Sequence, residues 1–302
     1  MRGPVKPPSH FVFDRDLRAV VARLRGPVCA APFTVGDLVV LDGGAPPGVF
    51  RVRAGDEMLA LKLVDDDETS RAMLAHEADA AAFGAGLGLG PAVRAWMPDV
   101  DALVFAFVPG VEADGSVASA RAVGAALRVL HGASPVPWTQ DLRGDLHEEI
   151  AAAVPAWPTP LRDAWPALED AAWEALDASA GALVPCHDDL HAENVLMVDG
   201  RATFIDWAAA AMGDAAWDLG SFVSSVDPSD EARAALLEAR YGTPTAAADA
   251  RVALMTLLAD AYSAAWFTNL EQVTEAERFV RRLDDARARG RVAAWSAVLR
   301  AG

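Results

Sequence analysis

The chain has 302 residues, 53% of them hydrophobic, enough to bury the core of one large domain or of two lobes. Its 26 basic against 43 acidic residues leave a formal net charge of −17, which repels nucleic acid and anionic membrane and excludes both as partners. No apolar run approaches the ~18 residues of a membrane span. The opening MRGPVKPPSH has no apolar h-region behind it, and Cys29 and Cys186 lie too far apart in sequence for a disulfide framework or a metal spacing, so a soluble chain in a reducing cytoplasm is expected.

Taken in chain order, DRDLRAVVARL at 14–24 has helical periodicity, with Leu17, Val20, Val21 and Leu24 on one face. Short β-type runs follow at 38–41, 49–54 and 58–64, separated by turns rich in glycine, proline and aspartate. A helix is predicted over 68–85 and a further β pair around 92–108, where Pro109-Gly110 breaks the chain. Beyond it the pattern is mainly helical, as in ARAVGAALRVLHG with Val123, Leu127 and Leu130 on one face, and one β interruption is predicted near 195–205. The expected fold is α+β and two-lobed, with a small β-rich lobe at 1–108, a larger helical lobe at 109–302 and a cleft between them.

The chemistry concentrates in VPCHDDLHAENVLMVDGRATFIDW, residues 184–207, which holds His187, Asp189 and Asn194 in the order H-x-D-x-x-x-x-N. An apolar run from Val195 to Val198, a turn at Asp199-Gly200 and a second run from Thr203 to Ile205 lead to Asp206. Two short strands joined by that turn place Asn194 and Asp206 at adjacent strand ends, where both oxygen-bearing side chains can face one cation. Phosphoryl transfer uses such a set: a carboxylate to orient the attacking hydroxyl, and hard oxygens to hold magnesium on the phosphates. His187 and His191 also stand at the i,i+4 spacing of zinc ligands on a helix, but no H-E-x-x-H is present and the segment reads as loop and strand.

The spacing from Asp189 to Asn194 equals that of the protein-kinase catalytic loop, and Asp206 stands where the metal-binding Asp of D-F-G would fall, with Trp207 and Ala208 in place of Phe and Gly. Here the sequence resembles the aminoglycoside phosphotransferase and choline kinase superfamily, which reads H-G-D-x-x-x-x-N-[VI]-L, then I-D-[WF], then G-D-x-x-x-D-[LI]. The last piece is Gly213-Asp214-Ala215-Ala216-Trp217-Asp218-Leu219. The resemblance implies a protein-kinase-like fold and an ATP- and Mg2+-dependent enzyme. Asp189 would be the base or hydroxyl-orienting residue, Asn194 and Asp206 the metal ligands, His187 a brace for the loop and Asp218 its anchor.

The same resemblance extends upstream. Gly43, Gly44 and Gly48 lie in a turn between two β runs that could bring backbone N–H groups to phosphate, although Pro46 and Pro47 remove donors and the G-x-G-x-x-G spacing is missing. Leu59-Ala60-Leu61-Lys62 is similar to the V-A-I-K strand, which assigns Lys62 to the α- and β-phosphates and Glu77 to its ion pair. Gly88-Leu89-Gly90-Pro91 matches a G-[LV]-x-P segment, and LVFAFVPG at 103–110 resembles the hinge. Adenine would then meet backbone near Ala106 and Val108, with Phe105 behind it.

For the acceptor, the expected partner is a small molecule with a hydroxyl group, and the acidic chain suits a cationic one as well as it suits plain solubility. DARVALMTLLADAYSAAWFTNLEQ at 249–272 looks like the long helix of bacterial choline- and thiamine-kinase-like proteins. Tyr262 and Trp266, four apart, could hold a quaternary ammonium by cation–π attraction, or simply pack as core. Trp207 and Asp227 complete the candidate substrate set. Choline kinases tend to carry an acidic residue where Ser225 stands and a Glu where Ala208 stands, so choline itself is one candidate beside ethanolamine and thiamine. An antibiotic phosphotransferase and a nucleotide-binding pseudokinase are the rival readings. The absence of A-P-E and of room for an activation loop after Asp206 disfavours a protein kinase.

Overall fold

The computed structural model describes residues 38–40, 48–54, 56–64 and 67–301. The helix expected at 14–24, Cys29, and Gly43 and Gly44 of the glycine turn lie outside the described residues. The described residues form two compact units, one holding those up to 79 together with 91–107, the other holding 80–90 and those from 108 onward.

The first unit is a five-stranded antiparallel sheet in the order β1-β2-β3-β5-β4, made of β1 (Leu38–Val40), β2 (Val49–Ala54), β3 (Glu57–Leu63), β4 (Val93–Met97) and β5 (Ala102–Ala106). Strand alternation decides which side chain goes where. Leu59, Leu61 and Leu63 join Phe50, Val52, Ala102 and Val104 in one buried cluster. On the other face Leu103 packs with Val64 and with Leu74 and Ala78 of helix α1 (Glu68–Gly86). Lys62 pairs in register with Leu103, so it points to the α1 side, where Glu77 waits one residue before Ala78.

The second unit is mainly helical, with α2 (Val117–His131), α3 (Leu142–Ala153), α4 (Thr159–Ala178), α5 (Ala215–Val226), α6 (Asp230–Tyr241), α7 (Ala246–Asn269), α8 (Val273–Ala288) and α9 (Arg291–Ala301). Polar caps start many of them. Ser116, Asp141, Asp214, Ser229 and Thr245 each accept a backbone N–H of the first turn, a contact worth about 1 kcal/mol. Helix α2 packs on α6, and α7 touches α3, α5, α8 and α9, which makes α7 the central element of this unit. Among the described residues no helix is long and apolar enough to cross a membrane.

Strands β8 (Val195–Val198) and β9 (Arg201–Phe204) form the predicted hairpin. Three further strands interrupt the helical part where a single interruption was expected. These are β6 (Val111–Glu112), which pairs with β8, and β7 (Val184–Cys186), which pairs with β10 (Ala211–Gly213). At two or three residues each they are too short to show alternation, and pairing alone defines them.

Candidate active site

Strand β7 ends at Cys186 and delivers the chain into the loop His187–His191, a 3-10 turn (Ala192–Asn194) and then β8. Asp199 and Gly200, both at positive φ (49° and 76°), close the hairpin as the twist of its strands demands. Val195 stands opposite Phe204, and the Ile205 N–H donates to the Asn194 carbonyl at 3.0 Å. Asn194 and Asp206 are therefore held at neighbouring ends of one two-stranded ladder.

The Asn194 side-chain amide donates to the Asp189 carbonyl (2.9 Å) and to Asp189 Oδ2 (3.0 Å). Committing the nitrogen in this way leaves Oδ1 as the atom Asn194 can offer to a cation. The Asp189 carboxylate is half exposed and lies 3.7 Å from His191 Nε2. Asn194 Oδ1 and the Asp206 carboxylate are hard oxygen donors, and this donor set fits magnesium rather than a soft metal.

Beneath the loop the polar groups are buried and interlocked. Asp218 is fully buried and accepts the N–H of His187 at Oδ2 (3.0 Å) and the N–H of Asp188 at Oδ1 (2.9 Å). His131 Nε2 lies 2.9 Å from Asp218 Oδ2, and Arg240 Nε donates to His131 Nδ1 at 2.8 Å. A guanidinium can only donate, so His131 carries its proton on Nε2 and gives that bond to Asp218. Burial by itself would push the Asp218 carboxyl up, but the hydrogen bonds from the His131 ring and the His187 N–H outweigh it and hold it below the ordinary carboxylate value.

His187 is itself fully buried, and its Nε2 lies 3.0 Å from the carbonyl of Ile205. A carbonyl only accepts, so the proton again sits on Nε2, and the ring ties the loop to the residue before Asp206. His187 is thus a positioning residue. Trp217 adds a bond from its indole N–H to the Asp188 carbonyl at 2.9 Å. Ser225 receives the Ala192 N–H at 3.1 Å, joining the 3-10 turn to α5.

Lys62 Nζ lies 2.7 Å from Glu77 Oε2, with both side chains buried in the sheet unit. Gly48 accepts the Leu63 N–H (3.0 Å), and Phe105 packs against the α1 side of the sheet. The N–H of Ala106 donates to Ala92 O at 2.9 Å.

Trp207 requires a correction. It is 1% exposed, donates to Phe204 O, and packs beside the His187 ring and against Gly84 and Gly90, so it builds the core behind Asp206 and has no surface to offer a substrate. A Cβ at Gly84 would overlap its ring, which is why glycine stands there. Asp227 ends α5 in a left-handed turn (φ 47°) and lies among the charges around Asp260.

Tyr262 and Trp266 stack with centroids 6.4 Å apart and an interplanar angle of 28°, and Trp266 remains 42% exposed. Burial pushes the Tyr262 hydroxyl up to about 12, helped by the carboxylates of Asp189, Glu149 and Asp145. That shared field places the aromatic pair near the catalytic loop. Glu149 accepts from Asn269 Nδ2 at 2.6 Å, linking α3 to the end of α7. Asp145, Glu149, His131, Arg240 and Asp188 escaped the sequence reading. The first four sit on helices with no local signature, whereas Asp188 stood in plain view where the family pattern H-G-D has glycine.

A family model described as the phosphotransferase enzyme family matches residues 37–255 of the chain. The chain belongs to the phosphotransferase enzyme family. Its fold is protein-kinase-like. The choline/ethanolamine kinase family protein of Mesorhizobium loti has a TM-score of 0.77 at 24% identity, covering 95% of this chain and 98% of that one. The macrolide 2′-phosphotransferase MphH of Brachybacterium faecium gives 0.62 at 22% identity over 88% and 97%, and the choline kinase LicA of Streptococcus pneumoniae 0.64 at 16% over 82% and 94%. In sequence, protein LicA of Haemophilus influenzae is 41% identical over 56 residues, 18% of this chain and 21% of that protein, so the match spans about a fifth of that relative.

Proposed function

We propose that this chain is an ATP- and magnesium-dependent kinase that phosphorylates the hydroxyl of a small cationic molecule, an amino alcohol of the choline, ethanolamine or thiamine kind. The observation that carries the reading is the Asn194 amide locked onto Asp189 at the end of a ladder that also ends in Asp206. Asp189 would orient the acceptor hydroxyl and take its proton as the oxygen attacks the γ-phosphorus. Asn194 and Asp206 would hold the magnesium, which supplies neutralisation of charge on the phosphates. Lys62, kept in place by Glu77, would bind the α- and β-phosphates, and Gly43, Gly44 and Gly48 would cover them. In this reading residues 1–108 are the nucleotide lobe and 109–302 the catalytic and substrate lobe. Tyr262 and the exposed face of Trp266 would hold the ammonium, with Glu149 and Asp145 contributing negative field.

Those same carboxylates favour a second reading, a phosphotransferase for a larger, polyamine-like antibiotic. ATP consumption measured against choline, ethanolamine, thiamine, an aminoglycoside and a macrolide separates the two. A clear preference for either antibiotic selects the second. Tight ATP binding with no turnover on any acceptor would make the chain a nucleotide-binding module instead.

A further inference from the structure

Asp188 is a buried carboxyl that the chemistry above does not use. It is 8% exposed, its backbone is left-handed (φ 62°), and its Oδ1 has no hydrogen-bond partner among the described residues. A Cβ on Gly213 would come within 3.0 Å of that oxygen, so the side chain lies flat against strand β10. The groups facing it offer no cation. Cys186 approaches from β7, Asp189 from the loop, Asp214 from the cap of α5, and Asp218 from α5 itself. Arg251 of α7 is spent on Asp214, the carbonyls of Leu176 and Ser179, and the Ser179 hydroxyl. His131 is spent on Asp218, and Arg240 on His131. An ionised Asp188 here would be a largely buried charge with no counter-ion among the described groups that face it.

We infer that Asp188 serves this site as a neutral carboxylic acid whose lack of charge lets the Asp189 loop stay packed in place, so that it is a positioning residue and its ionisation sets the alkaline limit of turnover. Burial first, then the charges of Asp218, Asp189 and Asp214, push its carboxyl up to about 9 from an ordinary 3.8. Asp188 and Asp218 divide the labour: one holds a proton while the other holds the charge that fixes two backbone N–H groups. The part concerning turnover rests on the reading of Asp189 as the base, but the proton itself does not.

The test uses the full chain with Asp188→Asn and Asp188→Gly, two residues that accept a left-handed backbone. Carbon NMR of the Asp188 carboxyl and the indole N–H signal of Trp217, which is bonded to the Asp188 carbonyl, are followed against pH. In the native protein both signals should move together with a midpoint near 9, and the Trp217 step should vanish in both variants. The folded value lies above the unfolded one, so this group's stabilisation is complete below 3.8 and is lost as pH rises towards 9. The Tm of Asp188→Asn should therefore gain on the native protein steadily across that window and no further above it. One unit above its midpoint only about a tenth of the group stays protonated, so near pH 10 the kcat of Asp188→Asn, relative to its own neutral value, should exceed the native ratio about tenfold. A carboxyl titrating near 4, or a Trp217 signal indifferent to pH, overturns the neutral acid whether or not any acceptor is turned over. Identical alkaline limbs with a confirmed high midpoint overturn the link to turnover.

Discussion

The catalytic loop and the aromatic face of α7 belong to one unit and are built on opposite principles. Around the loop the anchoring polar groups are buried and mutually bonded: both Asp218 oxygens are used, His131 bonds at each ring nitrogen, and the Asn194 amide is committed twice. Around Tyr262 and Trp266 the rings stack but stay partly open to solvent. Bond-making tolerates displacements of only tenths of an ångström, so its groups are fixed by many short hydrogen bonds in a low dielectric. In the proposed function that face would choose the substrate, which requires surface that a ligand can reach.

Five substitutions sharpen or break this contrast. The largest effect should come from Asp189→Ala or Asp206→Ala, each lowering kcat about a thousandfold. The half-exposed Asp189 carboxyl should leave the melting temperature almost untouched when replaced. Steady-state rates within tenfold of native for either protein would remove that residue from the chemistry. Next, Asp218→Ala strands two backbone N–H groups and the His131 N–H in the interior and should cost about 3–5 kcal/mol in denaturant unfolding. Asp218 is held below its ordinary value, so its stabilisation is present above 3.8 and lost as pH falls through the folded value. The deficit of the variant should shrink accordingly in acid.

Arg282→Met tests a second buried charge, away from the loop. Asp260 accepts from Ser224 at 2.6 Å and pairs with Arg282 at 2.9 Å, yet burial still pushes its carboxyl up to about 7. Removing the cation should cost about 3 kcal/mol at neutral pH. The native protein should lose some stability as pH rises from 3.8 towards 7, and in the variant that loss should continue to higher pH. An unchanged pH profile would mean that Arg282 is not the compensating charge. The smallest effect belongs to Trp266→Ala, which should alter stability by less than about 0.5 kcal/mol and raise KM for a cationic acceptor about tenfold, as loss of one cation–π contact predicts. An unchanged KM for every cationic acceptor would reduce the stacked pair to packing.

Periodicity alone located the sheet strands within a residue or two, because alternation in β3 and β5 is long enough to read and each face buries a different cluster. The adjacency of Asn194 and Asp206 was equally legible, since two apolar runs around Asp199-Gly200 leave a hairpin only one sensible register. The pairing of Lys62 with Glu77 was implied by the resemblance of Leu59-Ala60-Leu61-Lys62 to the V-A-I-K strand. Trp207 misled, because a tryptophan beside the proposed metal-binding aspartate reads as a ligand contact until the glycines at 84 and 90 are seen to close over it.

What the chain order alone determined is the family, the fold and the adjacency of the groups proposed to react, all of which depend on short spacings along one strand–loop–strand segment. The tertiary structure decided the rest. Asp188, His131, Arg240 and Arg251 acquire their roles from neighbours tens of residues away, where burial and the balance of nearby charges set which group keeps a proton. Spacing encodes local geometry; the dielectric around a side chain exists only once distant helices have closed upon it.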